Sequence, residues 1–201
     1  TGFTPAQGEV VFKHQSLRGL TPHIIARRGL RRTWQSVELF NDISITDNLL
    51  VAIEGSTVTG TLRDLVFPVL NKRERHVSRA LEAVGLDVST KKETSELSLG
   101  QQKLLGVARA LVAEPSLLML DEPAAGLSSS ETEALGRQII DISRTGVSIL
   151  LVDHDMDLVL QVCDRIFVLD FGCVIASGTP DEIRSNPAVI EAYLGAPSEV
   201  G

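Results

Sequence analysis

The spacing of apolar and polar positions divides the chain into short segments of two different periods. Gly8 to Phe12 reads as a short strand. Thr21-Pro22 then offers a helix cap with proline in the first turn, where its missing N–H is harmless, leading into His23-Ile24-Ile25-Ala26-Arg27. Gly29 marks the end of that helix, and Thr33-Trp34-Gln35 follows as a loop or strand end. Thr46 is expected to cap a helix running through Val51, whereas Gly55 to Leu70 carries no strong period. Arg73 to Val84 sets Val77, Leu81 and Val84 at helical spacing with charges between them and Gly85 at the end. A further helix is predicted from about Gln101 to Ala113, where Leu104, Leu105, Ala108, Leu111 and Val112 share a face before Pro115.

After Pro115 the period changes. Ser116–Leu120 and Ser148–Val152 are continuous apolar runs, expected to be strands buried on both faces. Between them Ser128-Ser129-Ser130-Glu131 forms a capping box for a helix reaching about Ser143. Strand, helix and strand in that order predict a βαβ unit with parallel strands and a right-handed crossover. Ile166–Leu169 and Cys173–Ala176 flank Asp170-Phe171-Gly172 as an antiparallel hairpin, and Thr179-Pro180-Asp181-Glu182 and Asn186-Pro187 open two closing helices. The fold class is therefore α/β, without internal repeats or a low-complexity linker.

Composition narrows the possibilities. A chain of 201 residues fits one domain, and 43% hydrophobic with 22% charged residues fits a globular one. The balance of 19 Lys+Arg against 26 Asp+Glu gives −7, which argues against a domain that binds nucleic acid by neutralising phosphates. Cys163 and Cys173 have no metal-ligand spacing and are too few for a disulfide framework, so a reducing compartment fits, and both are expected to be buried thiols. No run approaches the roughly 18 apolar residues of a membrane span. The first residues lack the charged and apolar regions of a secretory signal.

In open α/β sheets ligands bind beyond the carboxyl ends of the strands, which directs attention to Asp121-Glu122 and Asp153-His154. Adjacent carboxylates point in different directions, so one can orient a hydrated Mg²⁺ while the other accepts a proton from water. A turn acid beside a helix-capping acid has the same sequence. His154 suits either a structural imidazole or a hydrogen-bond donor to a terminal phosphate. Leu97-Ser98-Leu99-Gly100-Gln101-Gln102 is likewise a sufficient capping box, yet a hydroxyl, a close backbone approach at glycine and free N–H groups at a helix N-terminus also make an anion site.

Taken in order, Gln35, the Ser98-to-Gln102 element, Leu117-Leu118-Met119-Leu120-Asp121-Glu122-Pro123, Gly126-Leu127 and His154 resemble the ATP-binding cassette (ABC) ATPase family over essentially the whole chain. The resemblance implies a P-loop NTPase-like domain with a parallel core sheet, a small antiparallel β portion and a helical subdomain over roughly residues 41–113, within a single domain spanning 1–201. It implies ATP and Mg²⁺ as ligands. Gln35 is similar to the Q-loop glutamine that contacts Mg²⁺ and couples to a transmembrane partner, Asp121 to the Walker B acid on the Mg²⁺ shell, and Glu122 to the general base. Ser98, Gly100 and Gln101 resemble the signature motif that reaches the nucleotide of a second ATPase subunit, identical or not. His154 resembles the switch histidine and Ala125-Gly126-Leu127 the D-loop. Leu99 stands where the usual signature has glycine.

Arg32-Thr33-Trp34-Gln35-Ser36-Val37-Glu38-Leu39-Phe40, Val152-Asp153-His154-Asp155-Met156, Asp170-Phe171-Gly172, Ala192-Tyr193-Leu194-Gly195 and the segment from Gly55 to Arg75 are similar to the ATPases of branched-chain amino-acid importers. That implies an ATP-hydrolysing subunit that powers import of branched-chain or other hydrophobic amino acids, with transmembrane permease subunits as partners, no nucleic acid, and a peripheral position on the cytoplasmic face of the membrane. ATPases that extract lipopolysaccharide share much of the same tail, so lipid export stands as an alternative, as does a non-catalytic regulatory fragment. No Gly-x-x-x-x-Gly-Lys-Ser/Thr phosphate loop occurs in the sequence. The family places that loop just upstream of Thr1, so the chain is expected to be N-terminally truncated, inactive alone and prone to expose apolar surface.

Overall fold

In the computed structural model of the chain, the structure describes residues 7–33, 39–53, 70–87 and 89–194. Val11–Phe12 (β1) and Gln15–Ser16 (β2) form a small antiparallel ribbon, so the strand expected over Gly8 to Phe12 is confined to its last two residues. Thr21 precedes Pro22–Arg27 (α1), with proline in the first turn. Gly29, at φ +93°, then turns the chain into Leu30–Arg32 (β3). A Cβ there would sit 3.0 Å from Ser116 Oγ, and the Gly29 carbonyl accepts N–H bonds from both Ser116 (2.8 Å) and Leu117 (3.0 Å). Glycine thus lets β3 meet Leu117–Asp121 (β4) at the start of their pairing.

The central sheet is parallel in the order β3, β4, β5, the last being Ser148–Val152. Leu118 and Leu120 point into the core at 0% and 1% exposure, against Leu105 and Ala108 of Leu99–Leu111 (α4) and Leu135, Ile139 and Ile142 of Ser129–Arg144 (α5). The expectation of two buried faces fails at β5, where Leu150 and Val152 are 47% and 54% exposed while Ile149 and Leu151 turn inward. Continuous apolar composition conceals the two-residue alternation, so a one-sided strand of this kind reads as a two-sided one.

Ile45–Ile53 (α2) and Leu70–Ala83 (α3) pack on each other and on α4, and Ile45, Leu49, Val77, Leu81 and Val84 join the same core as the sheet. Ser44, not Thr46, opens α2: its hydroxyl accepts the Asp47 N–H at 3.1 Å and donates to the Asp47 carboxylate at 2.6 Å. Thr46 is occupied with the Thr90 carbonyl. The wholly buried Asn48 bonds the Phe40 N–H and carbonyl and the Ser44 carbonyl, anchoring the segment that leads into this helix. Met156–Val162 (α6) packs on α5, and a second core gathers Val159, Ile166, Val168, Ala176, Ile183 and Val189.

Ile166–Asp170 (β6) and Cys173–Gly178 (β7) form the expected hairpin, with Phe171 and Gly172 both at positive φ as a two-residue turn of the I′ kind requires. Cys173 is exposed, contrary to expectation, because its place at the turn end of β7 leaves it outside the second core; burial and the nearby Asp164 push the Cys163 thiol up. Pro180–Arg184 (α7) and Pro187–Val189 (α8) follow, and the Tyr193 hydroxyl donates to the Leu169 carbonyl at 2.5 Å. No helix among the described residues is long and apolar enough to cross a membrane.

Two measurements check this packing. Leu118→Ala removes a fully buried side chain and should lower the unfolding free energy by about 2–5 kcal/mol, whereas Leu150→Ala on the open face should lower it by about 1 kcal/mol or less, both read by urea denaturation. The capping acids Glu131 and Glu182 are held below the ordinary carboxylate value by hydrogen bonds from the backbone and hydroxyl of Ser128 and of Thr179. Their contribution is complete above the unfolded value of about 4.3 and is lost as pH falls through the lower folded values. The thermal midpoint of a Glu131→Gln/Glu182→Gln variant should therefore fall less steeply than that of the parent on acidification below this value.

Candidate functional site

Because β4 and β5 pair in register, Asp121 beside Val152, the residues that follow them emerge at one rim. Asp121 is 27% exposed and its Oδ2 lies 2.5 Å from Nη2 of Arg32, the last residue of β3. Glu122 leaves the strand with its N–H on the Val152 carbonyl at 2.8 Å and its backbone in the left-handed region at φ +43°. That conformation is uncommon for a residue with a side chain and turns the chain sharply over Glu122–Ala125, where the Ala125 N–H returns to the Glu122 carbonyl at 3.2 Å.

Across the rim, Asp155 caps α6 by accepting the Leu158 N–H, which confines Asp153-His154 between the strand end and the helix start. The Asp153 carboxylate is wholly buried and accepts N–H groups from His154 (2.8 Å), Asp155 (3.0 Å) and Ala124 (3.4 Å). It therefore fastens the end of β5 to the turn after Glu122. The His154 imidazole is 73% exposed, with Nδ1 3.9 Å from Glu122 Oε1 and 3.7 Å from Asp153 Oδ1, adjacent to both without a hydrogen bond to either. A cavity of about 900 Å³ is lined by Glu122 and His154 together with Leu150, Val152, Phe167 and Tyr193.

The second cluster surrounds the N-terminus of α4. Ser98 caps it: Oγ accepts the Gln101 N–H at 3.3 Å while the Gln101 side chain accepts the Ser98 N–H at 3.0 Å. A Cβ on Gly100 would meet Glu131 Oε1 at 2.6 Å, and one on Gly126 would touch Leu99 at 3.4 Å. The helix end thus abuts the loop after the acids and the first turn of α5. One turn further along α4, Lys103 Nζ donates to the Pro123 carbonyl at 3.1 Å and to the Ala125 carbonyl. Burial pulls the Lys103 ammonium below its usual range, with Asp153 and Glu122 opposing that shift.

Of the residues singled out in the sequence, Asp121, Glu122 and His154 share the first rim, and Ser98, Gly100 and Gln101 share the second cluster with Gly126 and Leu127. Gln35 lies outside the described residues, as do Trp34 and most of the Gly55-to-Arg75 segment. Among the described residues no group of three or more His, Cys, Asp and Glu is arranged to hold an ion by itself. A single carboxylate such as Asp121, already facing a cation, nevertheless suits Mg²⁺, which is held by one or two carboxylates and completes its shell with water and substrate phosphates. Sequence reasoning missed Lys103 and the bridging role of Asp153. An acid directly before the histidine was the only signal for Asp153, and a lysine inside an amphipathic helix gave none.

Against known proteins, two family descriptions match: "ABC transporter" over residues 1–125 and "Branched-chain amino acid ATP-binding cassette transporter" over residues 173–199. The high-affinity branched-chain amino acid transport ATP-binding protein LivG of Escherichia coli strain K12 is 42% identical over 202 residues, covering 97% of this chain and 79% of LivG. BraF of Pseudomonas aeruginosa, described by the same function, is 41% identical with the same coverage. Among solved structures, the ADP conformation of MJ1267, an ATP-binding cassette of an ABC transporter, aligns with a TM-score of 0.80 at 26% identity over 98% of this chain and 80% of that one. The cbiO1 protein of Clostridium perfringens, part of the ABC transporter complex cbiONQ, aligns at 0.74 and 28% identity over 93% and 72%. With the ABC transporter description matching more than half of its residues and LivG 42% identical over 97% of it, the chain belongs to the ABC transporter family of ATP-binding cassettes.

Proposed function

We propose that this chain is the ATP-hydrolysing subunit that powers uptake of branched-chain amino acids, acting with transmembrane permease subunits on the cytoplasmic face of the membrane and paired with a second ATPase subunit. The observation that carries the chemistry is the shared rim: a partly exposed carboxylate, Glu122, beside an exposed imidazole, His154, with Asp121 at the adjoining strand end. The identity to LivG and BraF carries the choice of solute.

In this reading Glu122, which lines the cleft just past the end of β4, takes the proton from the attacking water. His154, exposed at the surface, donates a hydrogen bond to the terminal phosphate. Asp121, together with Gln35, would hold a Mg²⁺ shell, which would supply neutralisation of the phosphate charge. Engaging the ion requires Asp121 to share or leave its Arg32 partner. Ser98, Gly100 and Gln101 present a capped helix end whose N–H groups and partial positive charge suit the phosphates of nucleotide bound to the opposing subunit. Residues 41–113, built around α2, α3 and α4, act as the helical subdomain that carries this end.

In the assembled transporter, Glu122→Gln should lower ATP turnover by roughly 100-fold or more, a general base commonly supplying a factor of about 10²–10⁴, while MgATP affinity by titration calorimetry stays within a few-fold. Retained turnover would remove Glu122 from the role of base. His154→Ala should likewise slow turnover at saturating ATP, measured by phosphate release. Reconstituted transport of leucine, isoleucine or valine dependent on ATP tests the solute class, and stimulation only by lipids or other solutes would overturn it.

A further inference from the structure

The loop that connects the two halves of the site is gripped by two groups of opposite charge, neither of them among the residues that the motif order singles out. On one side the Asp153 carboxylate, with no exposed surface, accepts the Ala124 N–H. On the other the Lys103 ammonium donates to the carbonyls on either side of Ala124, those of Pro123 and Ala125. Three backbone polar groups of one three-residue turn are thus satisfied by charged side chains from α4 and from the end of β5. Neutral hydrogen bonds are weaker than these charge-assisted ones, and the low local dielectric strengthens both.

The turn that they hold begins at Glu122, whose left-handed backbone persists only if the surrounding structure enforces it. Lys103 also lies one turn along the helix whose N-terminus is capped by Ser98. A shift of this ammonium therefore moves both the carboxylate at the first rim and the helix end at the second.

We propose that Lys103 is a positioning residue for ATP hydrolysis: its ammonium, opposed by Asp153, locks the Pro123–Ala125 turn so that Glu122 keeps its place at the rim and moves together with the Ser98 helix end. Lys103 acts through the turn, by its hydrogen bonds to the Pro123 and Ala125 carbonyls. Arginine, with several donors on a permanently charged head, can reproduce the contacts, whereas methionine keeps the apolar stem and loses all of them.

The inference rests on the proposed ATPase role for its kinetic arm and stands independently of it for its structural arm. Hydrogen exchange on the full-length protein should show faster exchange over residues 122–127 in Lys103→Met, with β4 and the body of α5 unchanged, and protection restored in Lys103→Arg. In the assembled transporter, Lys103→Met should lower kcat by roughly 10- to 100-fold, the scale expected when a catalytic group is misplaced by about 1 Å, with KM for MgATP within about twofold and recovery in Lys103→Arg. Unchanged exchange over 122–127, or an unchanged kcat in an active transporter, would overturn the proposal. Loss of protection throughout the chain, or no recovery with arginine, would also overturn it by making Lys103 a general packing residue. An inactive parent transporter would count against the ATPase reading alone, and the exchange result would then decide the role of Lys103.

Discussion

The parallel register between β4 and β5 is the constraint on which the site depends. Pairing Leu118 with Ile149 and Asp121 with Val152 ends both strands at the same height, so Glu122 and Asp153-His154 leave the sheet side by side. A two-residue slip would retain the inward faces of Leu118 and Leu120 and yet carry His154 about 6.6 Å along the strand at a rise of about 3.3 Å per residue, far beyond reach of Glu122. Packing fixes which face is inward. The N–H of Glu122 on the Val152 carbonyl and the N–H of Ala124 on Asp153 close the pairing beyond its last ladder rung and remove that remaining freedom.

The rim itself is arranged with its charges unevenly satisfied. Asp121 faces Arg32 and Asp153 is surrounded by N–H groups, while His154 projects into solvent with no hydrogen bond to its two acidic neighbours. Asp153, which holds the frame, is satisfied by the chain, whereas Asp121, assigned to the Mg²⁺ shell, keeps a partly exposed carboxylate and the imidazole assigned to meet phosphate projects outward. This division follows from the local sequence: Asp155 terminates β5 by capping α6, which fixes the backbone on both sides of His154 and turns its side chain outward.

Much of this architecture was legible in the sequence because it depends on local chemistry. Ser98-x-x-Gln101, Ser128-x-x-Glu131 and Thr179-x-x-Glu182 each open a helix where the spacing says they should, and the tight turn at Phe171-Gly172 joins the two strands expected there. The strand ends bearing Asp121-Glu122 and Asp153-His154 were legible for the same reason, since an apolar run stops where polar residues begin. What escaped was whatever depends on distant partners. β3 forms because the Gly29 carbonyl meets Ser116 and Leu117, far along the chain; Ser44 displaces Thr46 as the opening residue of α2 because Thr46 is drawn to Thr90; and Leu150 is exposed although its composition matches that of buried Leu118. Lys103 belongs to this group, its partners lying 20 and 22 positions away.

Why a lysine should occupy that position is a question of specificity more than of stability. Partly withdrawing an ammonium from water is costly, and a desolvated charge often does no better than an apolar side chain of similar volume. An apolar residue at 103 would, however, leave the carbonyls of Pro123 and Ala125 without the donor they now have, in a turn whose first residue already adopts an unfavourable backbone conformation. The charge is retained where a unique geometry is needed and where two elements must move as one. α4 and the turn after β4 are separate in sequence, in secondary structure and in the chemistry assigned to them, and the Lys103 ammonium joins them through its hydrogen bonds to the Pro123 and Ala125 carbonyls. Mechanical unity between the capped helix end and the carboxylate is therefore obtained from a local electrostatic contact, without any need for a larger apolar interface between them.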